Sequence, residues 1–434
     1  MKFDPAILKA LQLSLSADRK HIVIRSDKGG SSTSENFSIG IEEEYLLADA
    51  ASLEAAPRTP DELFEAVNWS TGGQTSRELL QAQLEVGTNV HSQVTDAFEE
   101  LKFLRKEVGK IAAQYGLTIM ACGTHPTAAW DESVHSPKIR YTEMMDDLGM
   151  LGQRNMLCGM HVHVQLPDPD QRFQIMCDMI PYIPLFVALS TSSPFWHSQE
   201  TGLKGYRLAA YDELPRTGIP ELLCTKHQYD AYVAALVNSG AMPDASYIWW
   251  SMRPSMRHPT LELRAPDCCT RVQDAIAIAC LYRVLARYLS MNGSPEITPR
   301  DRAIAAENKW RAQRYGVECP FASKDGAITV SDFLDKVLSL TQDDAEALHC
   351  VREAALCKSI VKNGTSADMQ LEAFQNFLPT GHSVALAAAK SWIAKTTQGE
   401  DIAASAAWPN SHLAPVAPKT LSTSGAAPAA RDEP

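Results

Sequence analysis

The chain has 434 residues, of which 45% are hydrophobic and 21% are charged, and its formal net charge at pH 7 is -12. This composition supports a large buried core and is ordinary for a soluble enzyme. The acidic balance argues against a nucleic-acid-binding or anionic-membrane surface, although a local basic pocket for phosphates can coexist with it.

The two ends of the chain lack the apolar periodicity of folded elements. Residues 1–36 end in a Gly- and Ser-rich run and are predicted to form an N-terminal arm. Residues 397–434 are dominated by Ala, Pro, Ser and Thr. They cannot offset the entropy of ordering, so a disordered tail is predicted. One catalytic domain is therefore expected over 37–396.

Location and cysteine state are also predicted from the sequence. The apolar run near the N-terminus is broken by Lys9, so no signal sequence is predicted, and no stretch reaches the ~20 apolar residues of a membrane helix. None of the ten cysteines forms a CxxC pair. Those in apolar helical stretches, among them Cys177, are expected to be reduced and buried. The cytoplasm is the expected location.

Between the two ends, helical and strand patterns are interspersed. Apolar residues recur three or four positions apart in long stretches, which predicts helices at 95–115, 272–291, 301–315, 331–358 and 384–395. Short alternating segments predict strands at 38–47, 81–86, 159–165 and 260–264, and a further strand is predicted at 117–122. Alternating strands favour an antiparallel sheet with one working face and one face backed by helices, an α+β fold.

The first polar strand reads GIEEEYLL over residues 40–47. Strand geometry sends Glu42 and Glu44 to one face, ~7 Å apart, and Glu43 to the other. Two such acids repel each other unless divalent cations lie over them, and carboxylate oxygens are the ligands that magnesium prefers. A solvated charged edge is the alternative interpretation.

A second polar strand, QAQLEVGT over 81–88, aligns Gln81, Gln83 and Glu85 on one face. Glu85 can add a third carboxylate to the predicted metal site. By itself the segment is equally typical of an exposed polar face.

Two histidines occupy one face of the apolar strand CGMHVHV at 158–164. Burying both His161 and His163 without partners would be costly, so the pair indicates a metal or phosphate contact. A hydrogen-bonded core histidine is the alternative. The chain has no HExxH motif, which disfavours a zinc site of the familiar kinds.

An arginine-rich stretch follows in RPSMRHPTLELR at 253–264. The guanidinium groups of Arg253, Arg257 and Arg264 surround the single carboxylate of Glu262. Arginines bind phosphate oxygens and stabilise charge on a transferring phosphoryl group. Surface ion pairing, which stabilises little, is the alternative.

A last basic pair lies near a predicted helix end. Arg311 and Arg314 are one helical turn apart before Gly316. They could reach a polyphosphate or complement the helix dipole. The chain has neither a P-loop nor a Rossmann glycine fingerprint, so a nucleotide would be held by metal ions and arginines.

Taken in order, these motifs resemble the carboxylate–amine ligase family related to bacterial glutamate–cysteine ligases, from about Phe37 to about Ile393. The matching segments are GIEEEYLL at 40–47, QLEVGT at 83–88, CGTHP at 122–126, CGMHVHV at 158–164, SSPFW at 192–196, TGLKGYR at 201–207, RPSMRHPTLELRAPD at 253–267 and NKWRAQRYG at 308–316.

The resemblance implies a glutamine-synthetase-like fold, in which an antiparallel sheet forms a funnel that binds ATP and magnesium at one end and glutamate at the other. Mn²⁺ is an alternative metal. The family's metal positions fall on Glu42, Glu44, Glu85, His161 and Glu262. Its phosphate-handling positions fall on Arg253, Arg257 and Arg264, and we also assign Arg314 to the nucleotide.

The resemblance also implies roles in substrate binding and catalysis. His163 and Arg207 are expected to contact the substrate, and Arg264, Arg257 and His163 are expected to act in catalysis. The chain departs from the family pattern at Ser251, at His258-Pro259 and at Gln165. These departures leave the acceptor amine open.

The expected reaction is attack of a carboxylate, here glutamate, on the γ-phosphate of ATP, followed by attack of cysteine or another amine on the acyl-phosphate. Positioning and electrostatics would supply the catalysis. A metal-dependent amide hydrolase and a non-catalytic nucleotide or amino-acid sensor are the alternatives. The expected partners are small-molecule carboxylate and amine substrates, with no nucleic acid and no membrane, and we expect a homo-oligomer.

Overall fold

The computed structural model describes residues 37–399. The predicted arm at 1–36 and nearly all of the predicted tail at 397–434 lie outside the described residues. The strands are β1 (Ile39–Asp49), β2 (Thr75–Arg77), β3 (Gln83–Gly87), β4 (Leu117–Met120), β5 (Met160–Gln165), β6 (Phe195–Trp196), β7 (Gln199–Glu200), β8 (Met252–Pro254), β9 (Thr260–Leu263), β10 (Pro320–Ser323) and β11 (Gly326–Thr329).

Sixteen α-helices lie within the same described range. They are α1 (Asp61–Ser70), α2 (Val94–Gln114), α3 (Ile139–Leu148), α4 (Met150–Gln153), α5 (Arg172–Met179), α6 (Ile183–Ser190), α7 (Tyr206–Tyr211), α8 (Lys226–Asn238), α9 (Val272–Asn292), α10 (Pro299–Tyr315), α11 (Val330–Leu340), α12 (Gln342–Ala347), α13 (Val351–Ala355), α14 (Cys357–Asn363), α15 (Ser366–Phe377) and α16 (His382–Thr397).

One seven-stranded sheet organises the fold. Its strand order is β2-β3-β1-β5-β9-β8, and β4 pairs with the second half of β1. All of these pairings are antiparallel. One face is apolar and packs on the long helices α2 and α9. This layout confirms the predicted α+β fold with an antiparallel sheet backed by helices.

A buried ion pair fastens the apolar face of β1 to α2. Glu43, which is fully buried, accepts hydrogen bonds from Arg105 Nε at 2.8 Å and Nη2 at 2.6 Å. The Tyr45 hydroxyl donates to the same carboxylate at 2.6 Å. Arg105 also donates to the carbonyl oxygens of Cys269 and Thr270, both at 2.7 Å. One guanidinium therefore joins β1, α2 and the segment between β9 and α9.

The predicted elements agree with the structure except in one region. The predicted helix at 95–115 appears as α2, and Gly116, at φ +71°, follows it in the left-handed conformation that glycine favours. The stretch predicted as helical at 331–358 is instead divided among α11 to α14. His349 has φ +52°, which no helix can contain. Apolar spacing continues across these breaks, so periodicity alone could not reveal them.

The prediction that Cys177 is reduced is wrong, although the residue is buried as expected. Its sulfur is bonded to that of Cys224, with the two Cα atoms 5.6 Å apart. Cys224 lies in the loop before α8, and a loop cysteine brought alongside a helix leaves no mark in local periodicity. The other eight cysteines are free and buried, as expected.

One helical stretch, 169–190, is long and apolar enough to cross a membrane, with a mean hydropathy of 1.5. However, 83% of the 18 residues to which this hydropathy applies are buried inside the protein. The helices of a soluble protein's core meet the same criterion of length and composition, so the stretch is weak evidence for a membrane span.

The buried pair makes a stability prediction. Arg105→Ala should lower the free energy of unfolding by about 3–5 kcal/mol, because the carboxylate of Glu43 is then buried without its cation. The matched control is Lys102→Ala in the same helix, whose partner Glu99 is exposed, and it should change stability little. Urea unfolding of both variants measures the difference. If Arg105→Ala and Lys102→Ala lowered the free energy of unfolding equally, the buried pair would stabilise the fold no more than the exposed pair does.

Candidate active site

The polar face of the sheet is built from residues that lie opposite each other on neighbouring strands. Residues directly opposite in an antiparallel pair point to the same face. The opposed pairs, from β3 to β8, are Glu85–Glu44, Glu42–His161, His163–Glu262 and Glu262–Arg253. The sheet thus places the predicted acids, both histidines and one arginine on a single surface.

These side chains form three overlapping clusters. In each cluster, three ligand atoms lie within 4.8 Å of one another. The clusters are Glu42–Glu85–His161, Glu42–His163–Glu262 and Glu44–Glu78–Glu85. Carboxylate oxygens with an occasional imidazole nitrogen suit Mg²⁺ or Mn²⁺. Because two glutamates are shared between clusters, ions bound in them would be close neighbours.

In each histidine, one ring nitrogen makes a hydrogen bond and the other makes none within residues 37–399. Nδ1 of His161 lies 3.2 Å from Glu42 Oε2, and Nδ1 of His163 lies 2.9 Å from Thr260 Oγ1. The two Nε2 atoms are buried and make no hydrogen bond to any residue within 37–399. They lie 3.8 Å from Glu44 Oε1 and 3.4 Å from Glu42 Oε1, respectively. An oriented ring with a free nitrogen among carboxylates is what a metal-ligating histidine requires, so these residues fit a divalent cation.

Three of the glutamates are destabilised as anions. Burial, and then the charges of Glu42, Glu78 and Glu44, raise the pKa of Glu85 well above its ordinary value. Burial is also the largest cause of the raised pKa of Glu44 and of Glu78. A bound cation would offset both the cost of burial and the repulsion between the glutamates, because it supplies positive charge beside them.

The histidines stabilise the fourth acid. Burial would raise the pKa of Glu42, but the contacts with His161 and His163 and the charges of these two rings together outweigh it and lower this pKa well below the ordinary value. Burial also acts against charged His163, yet its contact with Glu42 and the charge of Glu262 raise the pKa of this histidine. The pKa of His161 is lowered by burial and by the charge of Arg264.

Two arginines contact the carboxylate of Glu262. Arg253 donates from Nε at 2.8 Å and from Nη2 at 3.2 Å, and Arg264 Nη1 contacts the same carboxylate. Burial would raise the pKa of Glu262, but Arg264 and Arg253 outweigh it and lower this pKa strongly. The remaining Nη1 of Arg253 donates to the carbonyl oxygens of Ser246 and Ile248. Arg253 therefore links Glu262 to the segment before β8, and its contact with phosphate stays a prediction.

Arg207 lies beneath the acid cluster rather than on its surface. It is buried, and its Nη1 donates to the Pro266 carbonyl at 3.1 Å. Its Nη2 presses against Gly159, where a Cβ atom would come within 2.1 Å. The Gly159 amide in turn donates to Glu44 Oε2 at 2.5 Å. Glycine at this position lets Arg207 approach the backbone that holds Glu44, and direct contact with substrate stays a prediction.

The structure leaves two predicted arginines outside these clusters. Arg257 is exposed in the turn between β8 and β9, although its neighbour His258 places its ring 5.8 Å from that of His163. Arg314 is exposed at the end of α10, with its guanidinium 5.1 Å from the ring of Tyr315. No hydrogen bond or ion pair joins Arg314 to the polar face within the described chain. Their roles toward the nucleotide stay predictions.

Two residues of the site were missed by sequence reasoning. Glu78 lies between β2 and β3, outside any alternating segment, so no periodicity marked it. Tyr211 ends the short helix α7, and its hydroxyl accepts from Arg264 Nη2 at 3.3 Å. A single acid shortly before a polar strand was the only available signal for Glu78. Gln83 shares a face of β3 with Glu85, as expected, and it is buried and donates to the Leu157 carbonyl. Gln81, which was expected on the same face, lies before β3.

Comparison with known proteins gives consistent results. Residues 38–403 match glutamate-cysteine ligase family 2. A relative from Bradyrhizobium sp. (strain ORS 278), provisionally named glutamate–cysteine ligase 2, is 62% identical over 91% of this chain and 96% of its own. A relative of the same name from Rhodospirillum rubrum is 39% identical over 78% of this chain and 89% of its own.

Solved structures share the fold at low sequence identity. The glutamate–cysteine ligase from Francisella tularensis, solved in complex with AMP, has a TM-score of 0.63 at 12% identity, covering 84% of this chain and 89% of that one. A bifunctional glutathione synthetase from Pasteurella multocida has a TM-score of 0.63 at 14% identity, covering 83% of this chain and 52% of that one. These similarities confirm the ligase fold that the motifs implied.

The acid cluster makes a prediction about metal and stability. A carboxyl whose pKa is raised by folding destabilises the fold above the ordinary pKa of the unfolded chain, and more so as pH rises. Glu85→Gln should therefore melt at a higher temperature than the parent in EDTA at pH 8, and this difference should shrink toward pH 5. Mg²⁺ should raise the melting temperature of the parent but much less that of the variant.

The control for this prediction is Glu99→Gln, which neutralises an exposed glutamate paired with Lys102. It should match the parent in EDTA and in Mg²⁺. An Mg²⁺ stabilisation that survives in Glu85→Gln would remove Glu85 from the metal site. A lower melting temperature of Glu85→Gln in EDTA would contradict the repulsion.

Proposed function

Because the chain belongs to glutamate-cysteine ligase family 2 and is a ligase of that type, we propose that it joins glutamate to cysteine or another amine, using ATP and Mg²⁺, through an acyl-phosphate. The observation that carries this proposal is the continuity of two chemistries on one sheet face. The acid half of this face consists of the glutamates and histidines of the three clusters and suits divalent cations. The arginine half consists of Arg253 and Arg264 and suits phosphoryl groups. The two halves meet at Glu262, which belongs to the cluster Glu42–His163–Glu262 and contacts both arginines.

The reaction divides into two displacements. A carboxylate oxygen of glutamate attacks the γ-phosphorus, the bond from that phosphorus to the ADP oxygen breaks, and ADP leaves. The amine nitrogen then attacks the acyl carbon, the carbon–oxygen bond breaks, phosphate leaves and the nitrogen loses a proton. No protein nucleophile is required, so positioning and electrostatics supply the catalysis.

The residues of the polar face have separate tasks in this scheme. The three clusters would hold the divalent cations, whose positive charge would offset that of the phosphate oxygens. Glu262 and Tyr211 hold the Arg264 guanidinium by Nη1 and Nη2, and each of these nitrogens keeps a second hydrogen for the phosphoryl group. Arg253 keeps Glu262 ionised and in place. His163 is held by Thr260 and directs its Nε2 toward the acids.

Product analysis separates this proposal from its rivals. Purified protein is incubated with ATP, Mg²⁺, glutamate and a panel of amines that includes cysteine, and ADP release and amide formation are followed. A ligase releases ADP in proportion to amide, and only when carboxylate and amine are both present. A hydrolase would cleave amides without ATP, and a sensor would bind ATP without turnover.

We place the enzyme in the cytoplasm, in keeping with its small-molecule substrates and the soluble ligases that it resembles. Mn²⁺ should replace Mg²⁺, since the mixed carboxylate and imidazole donors suit both ions. A homo-oligomer stays a prediction.

The arginine half makes a kinetic prediction. Arg264→Lys keeps the charge but loses the planar fork, so it should lower kcat at least tenfold while changing ATP affinity much less. The control is Arg300→Lys, an exposed arginine at the start of α10, which should behave like the parent. Steady-state rates and ATP titration measure both quantities. An unchanged kcat would withdraw Arg264 from phosphoryl transfer.

A further inference from the structure

The guanidinium of Arg264 has two side-chain anchors on separate elements. Nη1 contacts Glu262, two residues earlier in the chain, and Nη2 donates to the Tyr211 hydroxyl at 3.3 Å. Its Nε is buried and makes no hydrogen bond to any residue within 37–399. A planar group held at one nitrogen can still rotate about that contact. The hydrogen bond to Tyr211 therefore fixes the orientation of the guanidinium plane.

Tyr211 is itself held, so it can act as a fixed point. Its ring lies 5.5 Å from the guanidinium carbon of Arg207, a cation–π contact. Arg207 is buried, its backbone amide donates to Ser193 Oγ at 2.9 Å, and its Nη1 donates to the Pro266 carbonyl. Arg207 and Tyr211 are one turn apart in α7, which fixes their spacing.

The chemistry of the contact also assigns its direction. A guanidinium has five donors and no acceptor, so the tyrosine oxygen accepts and its own hydrogen points elsewhere. Phenylalanine at position 211 would keep the ring and its contact with Arg207 but would remove the only acceptor for Nη2 among the contacts described. The hydroxyl can thus be tested separately from the ring.

We propose that Tyr211 is a positioning residue of the ligase reaction, which orients the guanidinium plane of Arg264 toward the transferred phosphoryl group. The inference rests on the proposed function and adds a residue outside the motifs by which the chain resembles its family. Transition-state contacts depend on placement within about 0.5 Å, so a loss of orientation lowers kcat more than it weakens binding of ATP. Tyr211 acts through Arg264 and need not touch substrate.

The first test is Tyr211→Phe in the full chain. We expect kcat to fall about five- to tenfold, the KM for ATP to change less than about twofold, and the melting temperature to stay the same. Tyr206→Phe is the matched control, because Tyr206 lies in the same helix and packs its ring 5.5 Å from that of Trp196. It should have the kcat of the parent.

A double-mutant cycle tests whether Tyr211 acts through Arg264. Lysine at position 264 cannot span both anchors, so Tyr211→Phe should lower the kcat of Arg264→Lys by less than about twofold. An equal fold-loss in both backgrounds would overturn the proposal. So would a kcat within twofold of the parent in Tyr211→Phe alone.

Crystal structures of the parent and Tyr211→Phe, both without substrate, provide a readout independent of activity. We expect the Arg264 guanidinium to be rotated or poorly ordered in the variant while Glu262 keeps its place. An unmoved, equally ordered guanidinium would overturn the inference even if the enzyme proves inactive with every amine. Failure of the parent to release ADP would contradict the proposed function separately.

Discussion

Everything at the polar face depends on how β1 divides three consecutive glutamates between its two sides. Glu43 faces the core and is neutralised permanently by Arg105, with Tyr45 as a third partner. Glu42 and Glu44 face the other way, and within residues 37–399 they have no arginine of comparable geometry. Glu42 is paired with His161 and His163 instead. If Glu43 also lacked its arginine, three consecutive residues of the strand would carry negative charge without an arginine partner, at a cost that few folds could offset. The Glu43–Arg105 pair on the apolar face therefore confines the uncompensated charge of β1 to the polar face, where the pKa of Glu44 is raised.

On the polar face of the sheet, the compensation of the glutamates by positive charge increases from β3 to β9. At the β3 side, Glu44, Glu78 and Glu85 keep raised pKa values because burial and mutual repulsion act together. At the β9 side, Glu262 is fully compensated by two arginines. Stability alone would favour compensation at both ends. The uncompensated end fits the proposed cation-binding role, since a bound cation would supply the positive charge that this end of the sheet lacks.

Sequence reasoning found those parts of the site that follow from local period. Alternation in strands predicted that Glu42 and Glu44 share a face, as do His161 and His163. The observed register then places Glu42 opposite His161, which brings the two pairs onto the same face of the sheet. The periodicity of polar and apolar residues along the chain carries no information about segments that meet only through the tertiary fold. Glu78 in a connection, Tyr211 at a helix end and Cys224 in a loop were missed for this reason. Arg314 is exposed at a helix terminus, and its contact with the nucleotide stays a prediction.

The positions at which the chain was expected to depart from the family pattern differ in how closely they approach the site. Ser251 contributes through its backbone, since its carbonyl accepts from the Arg264 amide at 2.8 Å and its amide donates to Gly218. A change of side chain at 251 therefore leaves the support of Arg264 intact. His258 differs in kind, because its ring lies against His163, at the edge of the cluster that joins the acid and arginine halves. The proposed phosphoryl-transfer machinery is thus preserved while its surroundings vary, which is where an enzyme would change the amine that it accepts.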